Sequence, residues 1–207
     1  MSTVYLETPI RGHGEPIVQR IDDGRGTFGM AMFIASEAIL FAVLFFTYYF
    51  LRSGNPQWEV HEPPKLHFSL PMLAVLLISS AVLHWGEKRV KAQRYGAGRL
   101  ALVGTIALGA IFLILTYFEY AEHLLHVTPR TDSYGSIFYA ITGLHVFHLS
   151  MGLLMLLWVL FLPGWQPRQR TPHRPFHNAA MYWHFVDAVW IFIIILLYAI
   201  PNISGMP

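Results

Sequence analysis

Five ionisable side chains stand inside otherwise apolar runs of the chain: Glu37, His145, His148, His184 and Asp187. An acid at the centre of a membrane-crossing helix costs roughly 2.5 to 3.5 kcal/mol on insertion scales, so such groups face one another or a cavity instead of lipid. Several chemistries use such a set. Mutual hydrogen bonding makes it a buried polar network that ties helices together. A proton relay needs further titratable groups or water leading to both surfaces, and the outer half of the chain offers few beyond Glu119 and Glu122. A haem needs axial histidines on opposed helices, which His145 or His148 together with His184 supply. A structural metal at His145 and His148 needs a carboxylate besides, because i, i+3 spacing on one helix gives two ligands. The polar network asks for the fewest added parts, and neither a metal site nor a catalytic residue is expected in this chain. Nucleotide-binding, P-loop and nucleophile-elbow patterns are absent.

A second group, Glu119, Tyr120, Glu122 and His123, follows the third apolar run and reads as a solvated helix end with the tyrosine as an interfacial anchor. His84 and Trp85 read as interfacial in the same way.

The elements that must position these groups are apolar runs long enough to cross a hydrocarbon core of ~30 Å at ~1.5 Å per residue. The stretch 137–162 is 26 residues without Asp, Glu, Lys or Arg, and Thr142, His145, His148 and Gly152 share one helical stripe of it. Four further runs, at about 28–51, 68–85, 100–118 and 179–200, complete an all-α, polytopic bundle of five transmembrane helices. Pro71 is expected in the first turn of the second helix, where its missing N–H is not needed, and Pro201 is expected to stop the fifth. Ala101, Thr105 and Gly109, at i, i+4 and i+8, form a ridge of small residues on which a neighbouring helix can approach closely, with Gly152 as a similar point on the fourth helix. Counted inward, Glu37 and Asp187 lie ~14 Å and His145 ~15 Å from the nearer membrane face, so the five buried groups share the midplane.

Composition agrees. Of 207 residues 55% are hydrophobic and 13% charged, against ~25% charged in a soluble domain. There is no cysteine, which excludes disulfides, thiolate metal sites and cysteine nucleophiles. A formal net charge of +2 gives no reason to expect nucleic acid, and the basic residues act as topology determinants. Eleven Lys and Arg fall in the amino-terminal segment and the loops after helices two and four, and three fall on the other side. The positive-inside rule then makes 1–27 a polar cytoplasmic extension, 28–201 the membrane domain and 202–207 an external tail, in a bacterial-type plasma membrane. No apolar h-region of a signal peptide precedes the first run.

Several motifs occur in order: Ser36-Glu37, Leu70-Pro71, Thr105 and Gly109 leading to Glu119-Tyr120, Tyr134-Gly135-Ser136, Thr142-Gly143 with His145, His148 and Gly152, then 182–187 as YWHFVD followed by Val189-Trp190. This series resembles subunit III of haem–copper terminal oxidases over roughly 28–201. The chain looks like a short, five-helix form that begins at the third of the family's seven helices. It departs from the family at Thr116, where glutamine is common, and at Ala74 and Val75, where the family often has Asn-Thr.

The resemblance implies a subunit without redox centres that packs on catalytic subunit I, with subunit II and other small subunits as further partners and haem and copper held by those partners. It implies structural phospholipid along the flank where the two leading helices are missing, and support of subunit I in proton uptake and oxygen supply. By position, Glu37 looks like the family's buried helix glutamate with His148 as hydrogen-bond partner, and it is expected to be a paired structural acid and not a compulsory proton carrier. The rival readings are an accessory subunit of a nitric oxide reductase, a free-standing membrane transporter or proton carrier, and a haem-bearing cytochrome b anchor. Oxidases fed by cytochrome c and by quinol both fit the resemblance.

Overall fold

The computed structural model describes residues 17–54, 66–124, 133–163, 165 and 173–199. The start of the amino-terminal extension, the loop 55–65, Pro201 and the tail 202–207 lie outside the described residues. The chain is all-helical: α1 spans Ile17–Gly54, α2 Leu66–Lys91, α3 Tyr95–His123, α4 Ser133–Phe161 and α5 His173–Ile193, continued by a π-helical turn Ile194–Ala199. All five are long and apolar enough to cross a membrane. This is a multi-pass membrane protein.

The helices outrun the apolar stretches at several ends. α1 begins inside the stretch expected to be extension, α2 continues through Lys88, Arg89 and Lys91, and α3 runs on to His123. A bilayer has polar interfacial layers on both sides of its core, and a helix that leaves the hydrocarbon keeps its backbone bonds there whatever its side chains are. Because α2 starts at Leu66, Pro71 is its sixth residue and lies past the first turn. The bond it withholds is therefore an interior one, to the carbonyl four residues earlier.

α2 and α3 form a helical hairpin closed within three residues. Gln93 takes a positive φ of 59°, and Arg94 N–H reaches back to the Arg89 carbonyl at 2.8 Å, which is the reversal that ends a helix in a left-handed residue. Small residues let the two helices approach: a Cβ on Gly86 would collide with Cβ of Ala101, and one on Gly98 with Val90. Thr105 is fully buried in the same seam and donates to the Ala101 carbonyl at 2.9 Å. Its hydroxyl thereby disposes of a polar group that lipid cannot solvate.

α5 is the hub, packed against α1, α2 and α4, while α4 also meets α1 and α3. The indole of Trp183 sits in a slot between three helices. A Cβ on Gly109 of α3 would stand 2.7 Å from its Cη2, a Cβ on Gly152 of α4 would stand 3.1 Å from its Cε3, and its Nε1 donates to Ser79 Oγ of α2 at 3.0 Å. The small-residue ridge thus divides: Ala101 and Thr105 serve α2, and Gly109 serves α4 and α5. α1 lies on the outside and touches only α4 and α5 substantially.

Filling the slot is the first test of this packing. Gly109→Leu is expected to lower recovery of folded, partner-bound subunit, because overpacking a tight interior costs about 1 to 3 kcal/mol or more. Membrane insertion, which follows hydrophobicity, should not change. Gly29→Leu, at a position with nothing near its would-be Cβ, is the matched control. Co-purification of tagged subunit in mild detergent reads the result, and equal yields for the two variants would contradict the packing role.

Candidate functional site

α1 carries Glu37 to the face of α4 that holds the HxxH pair. His148 Nε2 lies 2.8 Å from Glu37 Oε2, and His148 Nδ1 lies 2.7 Å from the Leu144 carbonyl. A carbonyl only accepts, so Nδ1 bears a hydrogen and the bond to Glu37 is made by Nε2. One proton is then shared along that line, written either as carboxylic acid to imidazole or as imidazolium to carboxylate. Phe41 covers the imidazole edge-on at 5.1 Å, and Tyr182 O–H donates to the His148 carbonyl at 3.3 Å. The glutamate side chain is 20% exposed and the histidine 5%, so the pair is shielded but stands at the rim of the bundle.

His184 and Asp187 are taken up elsewhere. Ser80 Oγ of α2 lies 2.6 Å from His184 Nδ1, and the ring of His84 stands edge-on to His184 at 6.4 Å. Asp187 is buried, and neither of its oxygens makes a well-formed hydrogen bond among the described residues.

His145 follows a third course. It is fully buried, lies flat on the indole of Trp190 at 4.9 Å and 22°, and has Phe112 of α3 at its edge. Neither ring nitrogen has a hydrogen-bond partner among the described residues. The five midplane groups are therefore distributed over three places and are not linked into one network by hydrogen bonds. His145 and His148 do not converge on a common point, and His184 is engaged by Ser80, so no axial pair is assembled. Among the described residues no cluster of three or more His, Asp or Glu is disposed to hold a metal ion.

The group at the carboxyl-terminal end of α3 differs from a solvated helix end. Glu119 is 5% exposed and accepts a hydrogen bond from Tyr198 O–H at 3.0 Å. Tyr120 O–H donates to Thr142 Oγ1 at 2.6 Å, and Thr142 in turn donates to the Phe138 carbonyl. Both side chains turn inward because the π-helical turn brings Tyr198 to α3, and α4 offers Thr142 at the matching height. Glu122 is half-buried, and the His123 side chain lies outside the described residues. At the opposite end, Glu87 binds His177 Nδ1 at 2.9 Å and Lys91 Nζ at 2.8 Å, and Thr27 O–H reaches Asn178 at 3.1 Å.

Ser79, Ser80 and Tyr198 are polar residues that the sequence reading passed over, as are Glu87 and His177. The adjacent hydroxyls of Ser79 and Ser80 in mid-span were a usable signal, since a hydroxyl in hydrocarbon needs an acceptor. Tyr198 gave none, because the turn that aims it is not encoded by periodicity.

A model of the family described as Cytochrome c oxidase subunit III matches residues 2–201. Among similar proteins, the cytochrome c oxidase subunit 3 of Synechocystis sp. is 36% identical, with 96% of this chain and 83% of that protein aligned. The subunit 3 of Thermostichus vulcanus is 33% identical over 84% of this chain and 87% of its own length. That of Drosophila yakuba is 36% identical over 83% and 68%. With the family match extending over nearly the whole chain and the buried motifs lying within it, this protein belongs to the cytochrome c oxidase subunit III family, and is subunit III of a terminal oxidase of aerobic respiration.

Proposed function

We propose that the chain works as the non-redox subunit of the oxidase, packed on the catalytic subunit I with subunit II and small subunits nearby, and that haem and copper belong to those partners. The observation that supports this reading is how the polar groups are spent. Glu37, His148, His184, Glu119 and Tyr120 are engaged within the chain, while the outer face of α1 presents Phe28, Ile39, Phe46, Tyr49 and Phe50, each more than 60% exposed. Such a surface meets lipid or an apolar membrane partner. Its role is to stabilise subunit I and to shape the proton, oxygen and lipid environment beside it.

Structural phospholipid fits the cleft between α1 and α5. That groove has a volume of about 350 Å³ and is lined by Ala38, Phe41, Ala42, Phe45, Ala188 and Phe192 among others. Its apolar walls and small alanine floor suit an acyl chain.

The membrane is a bacterial-type plasma membrane, with 1–27 cytoplasmic, 28–201 as one membrane domain and 202–207 external. The eleven-to-three distribution of Lys and Arg supports this orientation. Reporter fusions at Gln93, Thr131 and the carboxyl end should read inside, outside and outside; a cytoplasmic carboxyl end would reverse the assignment.

Glu37 serves in this reading as a structural acid. Glu37→Gln keeps the length and most of the hydrogen-bonding capacity toward His148 Nε2, and the assembled oxidase should retain its turnover and its proton-to-electron ratio. Glu37→Ala leaves His148 Nε2 buried without its partner, at a cost of about 1 to 3 kcal/mol, and should shorten the active lifetime or weaken assembly. Proton pumping in sealed vesicles decides the matter: a collapsed ratio in fully assembled Glu37→Gln oxidase would make the carboxyl an obligatory carrier.

A further inference from the structure

α1 and α2 both lie against α5 without substantial contact with each other, so the outward stripe of α5 between them is the floor of a trough. His177, His184, Ile191 and, in the π-helical turn, Ile195 make up that stripe, and Leu77, Ser80, His84 and Lys88 line the α2 wall at helical spacing. The polar members lie deep. Ser80 stands eleven residues, ~16 Å, before the end of α2 at Lys91, and His184 stands ten residues, ~15 Å, along α5 from Arg174. Ser80 and His184 are only half-buried and His84 is exposed. Ser80 Oγ meets His184 Nδ1 at 2.6 Å, and whichever of the two holds the proton, Nε2 is left with one hydrogen bond to make. Neither that nitrogen nor those of His84, whose ring stands edge-on at 6.4 Å, has a hydrogen-bond partner among the described residues.

We propose that this trough seats a transmembrane helix of the catalytic subunit, which offers a polar side chain to His84 and His184 and apolar ones to Leu77, Ile191 and Ile195. The inference rests on the reading of the chain as the non-redox subunit packed on subunit I, and it assigns the face that does the packing. Lipid, water and protein compete for such a face, and its composition separates them. An acyl chain suits Leu77, Ile191 and Ile195, which are 46%, 38% and 47% exposed, but it leaves two imidazoles unpaired in hydrocarbon, where ionisable side chains pair with one another or face a cavity. A water-filled crevice suits the imidazoles and wets the apolar half, which is unfavourable. A helix changes from polar to apolar side chains within two turns, as this face does.

The exposed charge along the trough has one sign. Lys88 stands beside His84, while Glu87 is buried and taken by His177 and Lys91. The residue that the partner brings is therefore an acceptor, an acid or the carbonyl of an amide. Other faces of the bundle lack this signature. The exposed side chains at mid-span of α3 and α4 are apolar, as at Ile111, Ile114, Phe147 and Leu154, and Glu37, an acid near the rim, is paired with His148.

Photo-crosslinking in the intact oxidase tests the seat, with p-benzoylphenylalanine placed at Leu77 or Ile191 and, for reference, at Ile114 of α3 or Leu154 of α4. The two trough positions should give an adduct that mass spectrometry maps to a transmembrane helix of the catalytic subunit, and the reference positions should not. Trough adducts with lipid alone or with another polypeptide would overturn the proposal. If the reference positions capture the catalytic subunit and the trough does not, the packing reading stands and this face is the wrong one; if no position captures it and the tagged chain fails to co-purify with it, the packing reading itself falls. His84→Leu gives a readout without a bulky probe. Facing lipid, leucine is the better neighbour and recovery would hold or rise. Facing an acceptor, retention of the catalytic subunit on detergent dilution should fall about threefold, the factor for one interhelical hydrogen bond in a membrane, and His84→Gln should restore it. Undiminished retention in His84→Leu would overturn the proposal.

Discussion

The Trp183 slot is the constraint on which the bundle depends. In a bilayer, burying an apolar side chain between helices gains little over leaving it in lipid, so association rests on close van der Waals packing and on interhelical hydrogen bonds. The bond from Trp183 Nε1 to Ser79 Oγ is of the class that averages ~0.6 kcal/mol in membrane helices. The indole itself belongs to the class that buries ~150 to 250 Å², in dozens of contacts of ~0.1 to 0.2 kcal/mol each. Packing is therefore the larger effect, and the hydrogen bond fixes which way the ring points. Glycines on α3 and α4 and a serine on α2 make room for one side chain of α5, and four helices are brought into register by that single insertion.

Once α5 is so placed, the polar groups follow. Tyr182, next to the indole, bonds the His148 carbonyl, and His184, on its other side, meets the Ser80 hydroxyl. Trp190 lies under His145, and the π-helical turn brings Tyr198 over Glu119. The outer helix α1 is attached differently, through the Glu37 to His148 bond, the Phe41 ring and the stacking of Phe33 on Tyr182. It adds its contacts to a core that the other four helices already define.

The five spans were legible because hydropathy is a local property: a run such as 137–162 announces itself without knowledge of its neighbours. The helix ends were less legible. Lys88, Arg89 and Lys91 look like a loop by composition, yet they are helical, since an interfacial helix is not constrained to be apolar. The stripe of Thr142, His145, His148 and Gly152 was visible as spacing, but spacing does not say what each member meets. The placement of α5 decides that His145 meets the Trp190 indole, and that of α1 decides that His148 meets the Glu37 carboxyl. Glu119 and Tyr120 were misjudged for the same reason, as their partners Tyr198 and Thr142 come from elements distant in sequence.

The order in which the ribosome delivers these parts gives the slot a meaning in biogenesis. The α2 to α3 hairpin is closed by a three-residue turn and local contacts, so it can form as soon as both helices have left the translocation channel. Ser79, Gly109 and Gly152 are all in place before Trp183 is made, and until then they line an unfilled notch in the membrane. Completion of the fold is deferred to the last helix, so a chain interrupted after α4 presents backbone and hydroxyl groups to lipid at the level of that notch. Such a chain lacks both the filled slot and the partners that α5 and its π-helical turn supply to Ser80 and Glu119, which offers membrane quality control a mark by which to tell the two apart.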